Sequence, residues 1–396
     1  MTRGTRLLLL PVAAAAVITM TQTAYLLTLC GAARARARRR CPPPEGDLLI
    51  VALVPAHDER GMIGGAVGSL LACDYEPSRR EVVVIADNCT DDTAALARAA
   101  GATVWERDDA DRPGKGQAVA WGLARLERER PQVEAVVMMD ADCTADLGVL
   151  AALAAPLRAG ADAVQGAYLA SNPDASTTAA LRFAGYALMN LVRPAGKEAL
   201  GLSCGLLGSG MAFTARTLAT VPWSAFSVTE DKEQHLRLLE RGLRVRFAAE
   251  AIVRSPMPVS QARGDTQQVR WETGNVELAR RWVPRLLRPG VRDGDVPALH
   301  AAWELVVPPL SLIAAPIPFV AILGRLGGSR RLMWSSSLTA VGLLAYVLAG
   351  LRLAQAPASV FRALLAAPGL VVRRVVQYGA LARGEGHREW RRTGRE

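Results

Sequence analysis

The sequence predicts an α/β protein with a mostly parallel sheet, attached to a membrane by apolar segments near both ends of the chain. Three observations indicate this. Continuously apolar runs alternate with helical patterns, several of these runs end in acidic residues, and uncharged stretches long enough to cross a bilayer flank them. The 396-residue chain is 51% hydrophobic with a mean hydropathy of +0.16, which is more apolar than a purely soluble protein.

The first apolar segment covers residues 7–33 and carries no charged side chain. It is longer than the roughly 7–15 apolar residues of a secretory signal peptide, which is the alternative interpretation. Five arginines follow it directly: Arg34, Arg36, Arg38, Arg39 and Arg40. Because basic flanks stay on the cytoplasmic side, we expect residues 1–40 to form an uncleaved anchor with a basic flank and the middle of the chain to be cytoplasmic.

Two further uncharged segments, residues 305–324 and 332–351, predict membrane helices within the region 293–357. Prolines in the first of them predict a kinked span or a re-entrant element. The loop between the two segments carries three arginines, so the positive-inside rule is violated there if both segments cross. The basic tail, residues 358–396, includes an apolar stretch at 363–372 that is too short to span and predicts an interfacial helix.

The formal net charge of +10 is concentrated at the membrane flanks and in the tail. An anionic membrane surface accounts for this distribution, so membrane lipids are expected partners. No basic stripe with interleaved aromatic residues occurs, which argues against a nucleic-acid partner. The six cysteines are scattered without a C-x-x-C pair, so neither a metal cluster nor a disulfide framework is indicated.

Residues 41–292 predict one α/β domain that begins with a proline-rich linker. Its strands are too continuously apolar for an exposed sheet face, so they belong in a parallel sheet covered on both sides. Strands are predicted at residues 48–54, 81–86, 133–139, 162–169 and 244–247, and helices at 63–71, 94–100, 118–129 and 177–189. No G-x-G-x-x-G motif follows the first strand, which argues against a dinucleotide-binding dehydrogenase.

Asp140 and Asp142 directly follow the apolar run at 133–139. They are therefore expected at the carboxyl end of a buried strand, where open α/β sheets bind ligands. Two carboxylates there can share a hard divalent cation, which in turn favours phosphate. The alternative is a polar turn in which Asp142 or Thr144 caps the next helix, and this is the commoner structure for an isolated D-x-D pair.

Three later motifs also have structural alternatives. The glycine-rich loop 204–213 lets a backbone approach a ligand closely, but glycines serve tight turns equally well. Ser227 and Glu230 have the spacing of a helix capping box, which would place Asp231 in an ordinary first helical turn. The helix expected from Gln267 onward carries arginines and tryptophans typical of a membrane-surface helix.

In this order the motifs resemble the family 2 glycosyltransferases, and within them the membrane-embedded polysaccharide synthases. The resemblance covers residues 47 to about 285. Its motifs are Pro55-Ala56-His57-Asp58-Glu59, Asp87-Asn88, Gly114-Lys115-Gly116-Gln117-Ala118, Asp140-Ala141-Asp142, Gly208-Ser209-Gly210, Thr229-Glu230-Asp231 and Gln267-Gln268-Val269-Arg270-Trp271. Each motif alone is weakly specific, whereas seven in a fixed order are strongly specific. The family implies a GT-A fold, a Rossmann-like domain with a mostly parallel sheet.

The resemblance implies that this domain binds a nucleoside diphosphate sugar, which we expect to be UDP-linked. The expected contacts to its nucleoside are Pro55, Ala56, Glu59, Asp87 and Lys115. Asp140 would face the ribose and the phosphate. Asp142 would hold Mg²⁺ or Mn²⁺ against the diphosphate, where the metal offsets the charge of the leaving group.

The same resemblance implies the residues of the transfer step. Asp231, with Glu230 beside it, would be the general base that takes a proton from the acceptor hydroxyl, and a single displacement inverts the anomeric configuration. Arg270 would add positive charge at the diphosphate, Trp271 would offer an apolar face to the acceptor, and Gln267 would orient this group. The loop of Gly208, Ser209 and Gly210 would border the acceptor, a glycan or a lipid-linked molecule at the inner membrane.

The chain departs from the family pattern in two places. Cys89 follows Asp87-Asn88 where many relatives have a second aspartate with Gly-Ser. The membrane section is also small for a polymer channel, which favours transfer of one sugar or a few, whereas Q-x-x-R-W favours processive synthesis. Two other functions stay open: a nucleotidyltransferase, which would prefer a glycine- and lysine-rich loop after the first strand, and a noncatalytic membrane-anchored scaffold.

Overall fold

The structure is a computed structural model that describes residues 10–37 and 47–382, except for the side chains of 261–271 and 380–382. Predictions for the first nine residues, for Arg38 to Arg40, for the proline-rich linker and for the tail beyond residue 382 lie outside the described residues. Those predictions remain untested.

An eight-stranded sheet forms the centre of the α/β domain, with the strands in the order β3-β2-β1-β4-β7-β6-β8-β5. The strands are β1 (Ile50–Ala56), β2 (Arg80–Asp87), β3 (Thr103–Arg107), β4 (Ala135–Met138), β5 (Thr144–Ala145), β6 (Ala163–Ala170), β7 (Met211–Thr214) and β8 (Val245–Ser255). Strands β3, β2, β1 and β4 are mutually parallel, and β6 is parallel to β8. Strands β7 and β5 run antiparallel to their neighbours. The predicted mostly parallel α/β sheet is therefore confirmed.

Helices cover both faces of this sheet and form the membrane part. Those in the first half of the chain are α1 (Leu10–Arg36), α2 (Ile63–Leu71), α3 (Thr93–Ala99), α4 (Lys115–Glu129), α5 (Val149–Arg158), α6 (Thr177–Ala187) and α7 (Arg193–Ala199). The others are α8 (Ala215–Thr220), α9 (Glu230–Glu240), α10 (Gln261–Asp293), α11 (Val296–Val306), α12 (Leu310–Ala314), α13 (Pro316–Leu326), α14 (Arg330–Leu353), α15 (Ala358–Ala363) and α16 (Ala367–Ala382). A π-helical segment, Leu188–Val192, joins α6 to α7.

The alternation of side chains along β1 explains why the strand is apolar at every position. Ile50, Ala52 and Val54 point into one hydrophobic core, whereas Val51 and Leu53 point into a second core on the other face. Helices α2, α3 and α5 close the first core, and α4 and α9 contribute to the second. A strand buried on both faces needs apolar residues throughout, which is what the sequence pattern predicted.

Several predicted boundaries were wrong at their ends. The strand expected at 244–247 continues to Ser255, because its later residues pair with β6 beyond a bulge between Gly166 and Ala167. The helix expected to open at Gln267 begins at Gln261, directly after the extended residue Ser260. The helix expected at 177–189 changes to π-helical hydrogen bonding at Leu188–Val192.

Among the described residues, two helices are long and apolar enough to cross a membrane, α1 and α14. The pair formed by Val296–Val306 and Leu310–Leu326 is bent by 73°, as a broken span or a re-entrant loop would be. Prolines at the break explain the bend. Leu332 packs with Ala16 near the start of α1, so the arginine-bearing loop before α14 lies beside that end of the helix.

The membrane helix α1 is joined tightly to the sheet domain. Its residue Arg36 pairs with Glu198 of α7 at 3.2 Å, and Arg246 of β8 pairs with the same carboxylate at 2.6 Å. The Glu198 side chain is 2% exposed. Gly196 permits the close packing, because a Cβ there would collide with the backbone of Leu29. Helix α7 therefore anchors the sheet domain to the membrane part.

Candidate active site

The first predicted nucleotide-binding motif lies at the carboxyl end of β1. Pro55 and Ala56 are the last two residues of that strand and pair in parallel with β2. Glu59 lies in the following loop, where its backbone N–H donates to Thr93 Oγ1 at 2.7 Å. This bond ties the loop to the start of α3, so the motif borders the cleft between two parallel strands.

Asp87 ends β2 and belongs to a buried network. Its carboxylate pairs with Arg107 of β3, which also lies 2.8 Å from Asp109 Oδ2. Asn88, with a left-handed φ of 50°, donates to Asp87 Oδ1 at 3.1 Å and accepts from the Asp109 N–H at 2.8 Å. The network orients the Asp87 carboxylate at the sheet edge. The sequence analysis did not select Arg107, because its position beside Asp87 depends on the parallel pairing of β2 with β3.

Lys115 connects four of the predicted motifs. Its ammonium lies 2.6 Å from Asp140 Oδ1 and 3.4 Å from Glu230 Oε1, and it donates to the Gly208 carbonyl at 2.9 Å. Burial alone would lower the pKa of Lys115, but the charges of Asp140 and Glu230 outweigh burial and raise it well above its ordinary value. Lys115 is therefore charged, and we call Lys115, Asp140 and Glu230 the Lys115 junction.

Asp231 lies beside this junction at the start of α9. A Cβ placed on Gly208 would lie 3.5 Å from Asp231 Oδ2, so the glycine-rich loop passes directly over the carboxylate. Gly208 has a φ of 89°, a left-handed conformation that favours glycine. The loop thus brings its backbone close to the Asp231 carboxylate, and the left-handed φ at Gly208 disfavours other residues there.

The capping box expected for Ser227 and Glu230 is absent. Helix α9 begins at Glu230 with Thr229 as its N-cap, and the Thr229 side chain makes no capping hydrogen bond. Glu230 turns to Lys115, since a half-buried ammonium attracts a carboxylate more strongly than a backbone N–H does. The Ser227 N–H donates to Glu233 Oε2 at 3.3 Å.

Ser209 has a structural position inside the glycine-rich loop. It is fully buried, and its hydroxyl accepts from the Asp140 N–H at 3.1 Å and donates to Cys143 Sγ at 3.3 Å. Gln165 donates to the Ser209 carbonyl at 2.8 Å. These bonds lock the loop to the end of β4. The acceptor-binding role expected for Gly208, Ser209 and Gly210 remains a prediction for the loop backbone, because the Ser209 side chain points into the protein.

Asp140, Asp142 and Cys143 form a potential metal site, with one ligand atom of each lying within 4.8 Å of the others. Burial raises the pKa of Asp140; Lys115 opposes this and the Asp142 charge adds to it. A divalent cation would relieve this repulsion, and two carboxylates fit the oxygen preference of Mg²⁺ and Mn²⁺. Burial and then the Asp142 charge raise the pKa of Cys143 well above its ordinary value, so the thiol is a poor ligand for such a cation.

Two tyrosines that the sequence analysis did not select border the acidic pair. The rings of Tyr168 on β6 and Tyr186 on α6 meet edge to face with centroids 5.5 Å apart. Both lie within electrostatic range of Asp140 and Asp142, and burial raises the pKa of each phenol. They form an apolar wall with polar tips on this side of the site. Neither stands in a recognisable motif, so only the fold identifies them.

The Gln267-to-Trp271 motif lies on α10, which passes next to the Thr229-to-Asp231 motif. A Cβ on Gly274 would lie 3.1 Å from Thr229 Cγ2, and Asn275 accepts a hydrogen bond from Lys232 at 2.7 Å. Gln267, Arg270 and Trp271 are one to two helical turns before these contacts. The fold therefore brings the two motifs together, while the side chains of the Gln267-to-Trp271 motif lie outside the described residues.

Comparisons with known proteins agree with this geometry. The family model described as Glycosyltransferase like family 2 matches residues 45–274. A search of curated protein sequences finds no match. Among solved structures, the chain is similar to the mannosyltransferase PcManGT from Pyrobaculum calidifontis in complex with GDP-Man and Mn²⁺, with 17% identity, 85% of this chain and 99% of that chain covered, and a TM-score of 0.51.

A second similar structure is glucosyl-3-phosphoglycerate synthase from Mycobacterium tuberculosis in complex with Mn²⁺, UDP and phosphoglyceric acid. It is 20% identical, and the alignment covers 53% of this chain and 72% of that chain with a TM-score of 0.39. The GT-A architecture expected from the motif order is therefore confirmed by the sheet topology and by the likeness to PcManGT.

Proposed function

Because the chain belongs to glycosyltransferase family 2, we propose that it transfers a hexose from a UDP-linked sugar to a hydroxyl of a glycan or lipid-linked acceptor. The reaction takes place at the cytoplasmic face of the inner membrane. The observation that carries this proposal is the Lys115 junction, where one ammonium joins the ends of β4, α4, α9 and the glycine-rich loop. Four separate motifs thus border one cleft.

The donor binds at the sheet edge. Pro55, Ala56 and Glu59 border the base and Asp87 the nucleoside, while Asp140 positions the ribose and the first phosphate. Lys115 is close enough to Asp140 to face the diphosphate as well. Binding of an anionic donor offers Lys115 a second partner and so helps to hold the nucleotide.

Asp142, with Asp140 beside it, holds Mg²⁺ or Mn²⁺ in this proposal. When bound, the metal offsets the negative charge that develops on the leaving diphosphate. The two carboxylates support this assignment because they are close together and repel each other without a cation. The GDP-Man complex of PcManGT also contains Mn²⁺.

Asp231 takes the proton of the acceptor hydroxyl. The acceptor oxygen forms a bond to the anomeric carbon, the bond from that carbon to the diphosphate oxygen breaks, and the nucleoside diphosphate leaves with the electron pair. Attack from the face opposite the leaving group inverts the anomeric configuration. Glu230 keeps Lys115 in place, and Gln267, Arg270 and Trp271 complete the acceptor and diphosphate sides from α10.

The proximity of α10 to the Thr229-to-Asp231 motif supports a relationship to the membrane-embedded polysaccharide synthases. The membrane part argues for short products. It contains two helices able to span and one bent pair among the described residues, which is little material for a polymer channel. We propose an anchor at residues 1–40, a GT-A domain at 41–292, membrane segments at 293–357 and a basic interfacial tail at 358–396.

The experiment that tests the function is a donor panel with the purified full chain in detergent. Nucleotide sugars are supplied with Mg²⁺ or Mn²⁺, and both nucleoside diphosphate release and product length are measured. We expect release with a UDP-hexose, loss of release on chelation, and products of one or a few sugars. Pyrophosphate release from a nucleoside triphosphate and a sugar phosphate would indicate a nucleotidyltransferase.

A matched pair of variants separates the metal role from general folding. Asp142→Asn removes the proposed metal ligand and should abolish release. Asp146→Asn changes a carboxylate four residues later that pairs with Arg254, and it should leave release unchanged. Full release by Asp142→Asn would overturn the metal assignment, and no release with any donor or metal would favour the noncatalytic scaffold.

A further inference from the structure

A second group of charged side chains lies between Asp231 and the membrane helices. Its cations are Arg193, Lys197 and Lys232, which we call the cationic cluster; Lys232 is within electrostatic range of the other two and of Asp231. The chain has 47 lysines and arginines, of which three are lysines. They are Lys115, Lys197 and Lys232, so every lysine of an arginine-rich chain lies at or beside the proposed active site.

Lys232 is a half-buried cation whose charge is poorly balanced. Among the described residues, its ammonium has one hydrogen-bond partner, the neutral amide oxygen of Asn275 at 2.7 Å. Burial lowers the pKa of Lys232, and the neighbouring charges of Asp231 and Glu304 only partly oppose this. Because withdrawing an ammonium from water without an anionic partner is costly, this half-buried position is suited to a ligand that supplies one.

Arg193 and Lys197 extend the positive charge towards the membrane. Lys197 pairs with Glu304 of α11 at 2.7 Å, and this pair accounts for one of the three cations. Arg193 lies within electrostatic range of Glu304, and its Nε has no hydrogen-bond partner among the described residues. The Glu304 carboxylate therefore balances the charge of both Lys197 and Arg193. Asp231, the other nearby acid, is the proposed base.

An apolar cavity lies between α1 and the bent helix pair. Its volume is about 160 Å³, and Ala15, Ile18, Leu312 and Pro316 are among its lining residues. An apolar cavity of roughly this size takes in a benzene-sized group. It therefore has room for part of a hydrocarbon chain.

The polar edge of the cavity leads back to the cationic cluster. Gln22 lines it and is 3% exposed, and its side-chain oxygen has no hydrogen-bond partner among the described residues. Tyr25 follows one turn later on α1 and donates to Glu304 Oε1 at 3.1 Å. Tyr25 and Glu304 thus connect Gln22 at the cavity edge to Lys197 of the cationic cluster.

We propose, on the basis of the function proposed above, that the acceptor is a phosphate-bearing lipid. Its phosphate binds between Lys232 and Arg193, its apolar chain enters the cavity between α1 and the bent helix pair, and its hydroxyl reaches Asp231. Charge complementarity selects the phosphate, and the apolar cavity selects a lipid over a soluble phosphorylated sugar. A purely structural cluster would show its cations paired, as Lys197 is with Glu304.

Binding to the full chain in an uncharged detergent tests this without any donor. The probes are farnesyl phosphate, farnesol and inorganic phosphate, and the readout is the midpoint of thermal unfolding as a function of probe concentration. We expect farnesyl phosphate to bind at least about tenfold more tightly than farnesol, the effect of a charge-assisted hydrogen bond, and inorganic phosphate to produce no shift in the same range. Equal binding of farnesol, or an equal shift with inorganic phosphate, would overturn the proposal.

Variants locate the site. Lys232→Met and Arg193→Met should each weaken farnesyl phosphate binding about tenfold or more, and Ala15→Phe should weaken it by filling the cavity. Arg241→Met removes an exposed arginine near the end of the same helix as Lys232 and should bind normally. Normal binding by Lys232→Met and Arg193→Met would overturn the site.

Uridine diphosphate binding, measured on the same samples, shows whether each variant is folded. If the wild-type chain turns over a nucleotide sugar but does not bind farnesyl phosphate more tightly than farnesol, only this inference is contradicted. Absent turnover with intact lipid discrimination would contradict the proposed function alone.

Discussion

Two groups of charged side chains lie on either side of Asp231 and differ in how their charges are balanced. In the Lys115 junction, one ammonium contacts two carboxylates and a carbonyl. In the cationic cluster, Lys232 contacts a neutral amide and Arg193 leaves a nitrogen unpaired among the described residues. The first group is internally compensated, whereas the second has an excess of positive charge. The difference indicates that the first group stabilises the fold, whereas the second has positive charge available for an anion, as the proposed lipid site requires.

Asp231 lies between the two groups, and its substitution should reduce sugar transfer more than any other change to these groups. Asp231→Asn keeps the size of the side chain but cannot accept the acceptor proton. We expect sugar transfer to fall by about 10²- to 10⁴-fold, the range of general-base catalysis. Nucleotide-sugar binding and the melting midpoint should change little. Transfer at the wild-type rate would remove Asp231 from the mechanism.

Lys115→Met tests the compensated group. It leaves Asp140 and Glu230 facing each other without a cation, so we expect a loss of about 2 kcal/mol in the free energy of unfolding and weaker donor binding. Chemical unfolding and donor titration measure the two effects. Arg128→Met, which changes an exposed arginine on the same helix, is the control and should behave like the wild type. Unchanged stability of Lys115→Met would mean that the junction is not compensated as described.

The pH dependence of stability tests the surroundings of the cationic cluster through His235, whose Nε2 lies 2.9 Å from Ser203 Oγ. Burial, followed by the charge of Lys197, lowers the pKa of His235 from 6.5 to about 3. Between these values the unfolded chain binds a proton that the folded chain excludes. The stabilisation is therefore complete above pH 6.5 and is lost progressively as the pH falls towards 3, by up to about 1.4 kcal/mol per pH unit.

Melting midpoints of the wild type and of His235→Gln, taken between pH 7.5 and 5, check this expectation. The variant should show a shallower decline than the wild type. Identical slopes for the two proteins would contradict the assignment of a neutral, buried His235.

Lys232→Met should have the smallest effect on stability. The substitution removes a half-buried charge whose hydrogen-bond partner among the described residues is an amide, so the lost interaction and the recovered desolvation nearly cancel. We expect the free energy of unfolding to change by less than about 1 kcal/mol, in contrast with Lys115→Met. A loss as large as that of Lys115→Met would show that Lys232 is compensated too.

Much of the architecture was predictable because it depends on local pattern. The apolar runs around Val51 and Val83 identified buried parallel strands, and the uncharged segments identified α1 and α14. Motif order identified Asp140, Asp142 and Asp231 as neighbours. The capping box at Ser227 was wrong because its spacing is local, whereas Glu230 responds to a lysine over one hundred residues away in the chain.

The amino-acid sequence by itself determined the fold class, the membrane attachment and the residue types of the site, since hydrophobic periodicity and acidic strand ends are properties of short segments. Only the tertiary structure decided which charges compensate each other. Lys115 and Lys232 both lie beside acidic residues in the folded chain. The Lys115 ammonium contacts two carboxylates, whereas the Lys232 ammonium donates to an amide oxygen. The physical reason is that charge balance depends on distances of a few ångströms between segments far apart in the chain, and these distances exist only once the sheet and helices have packed.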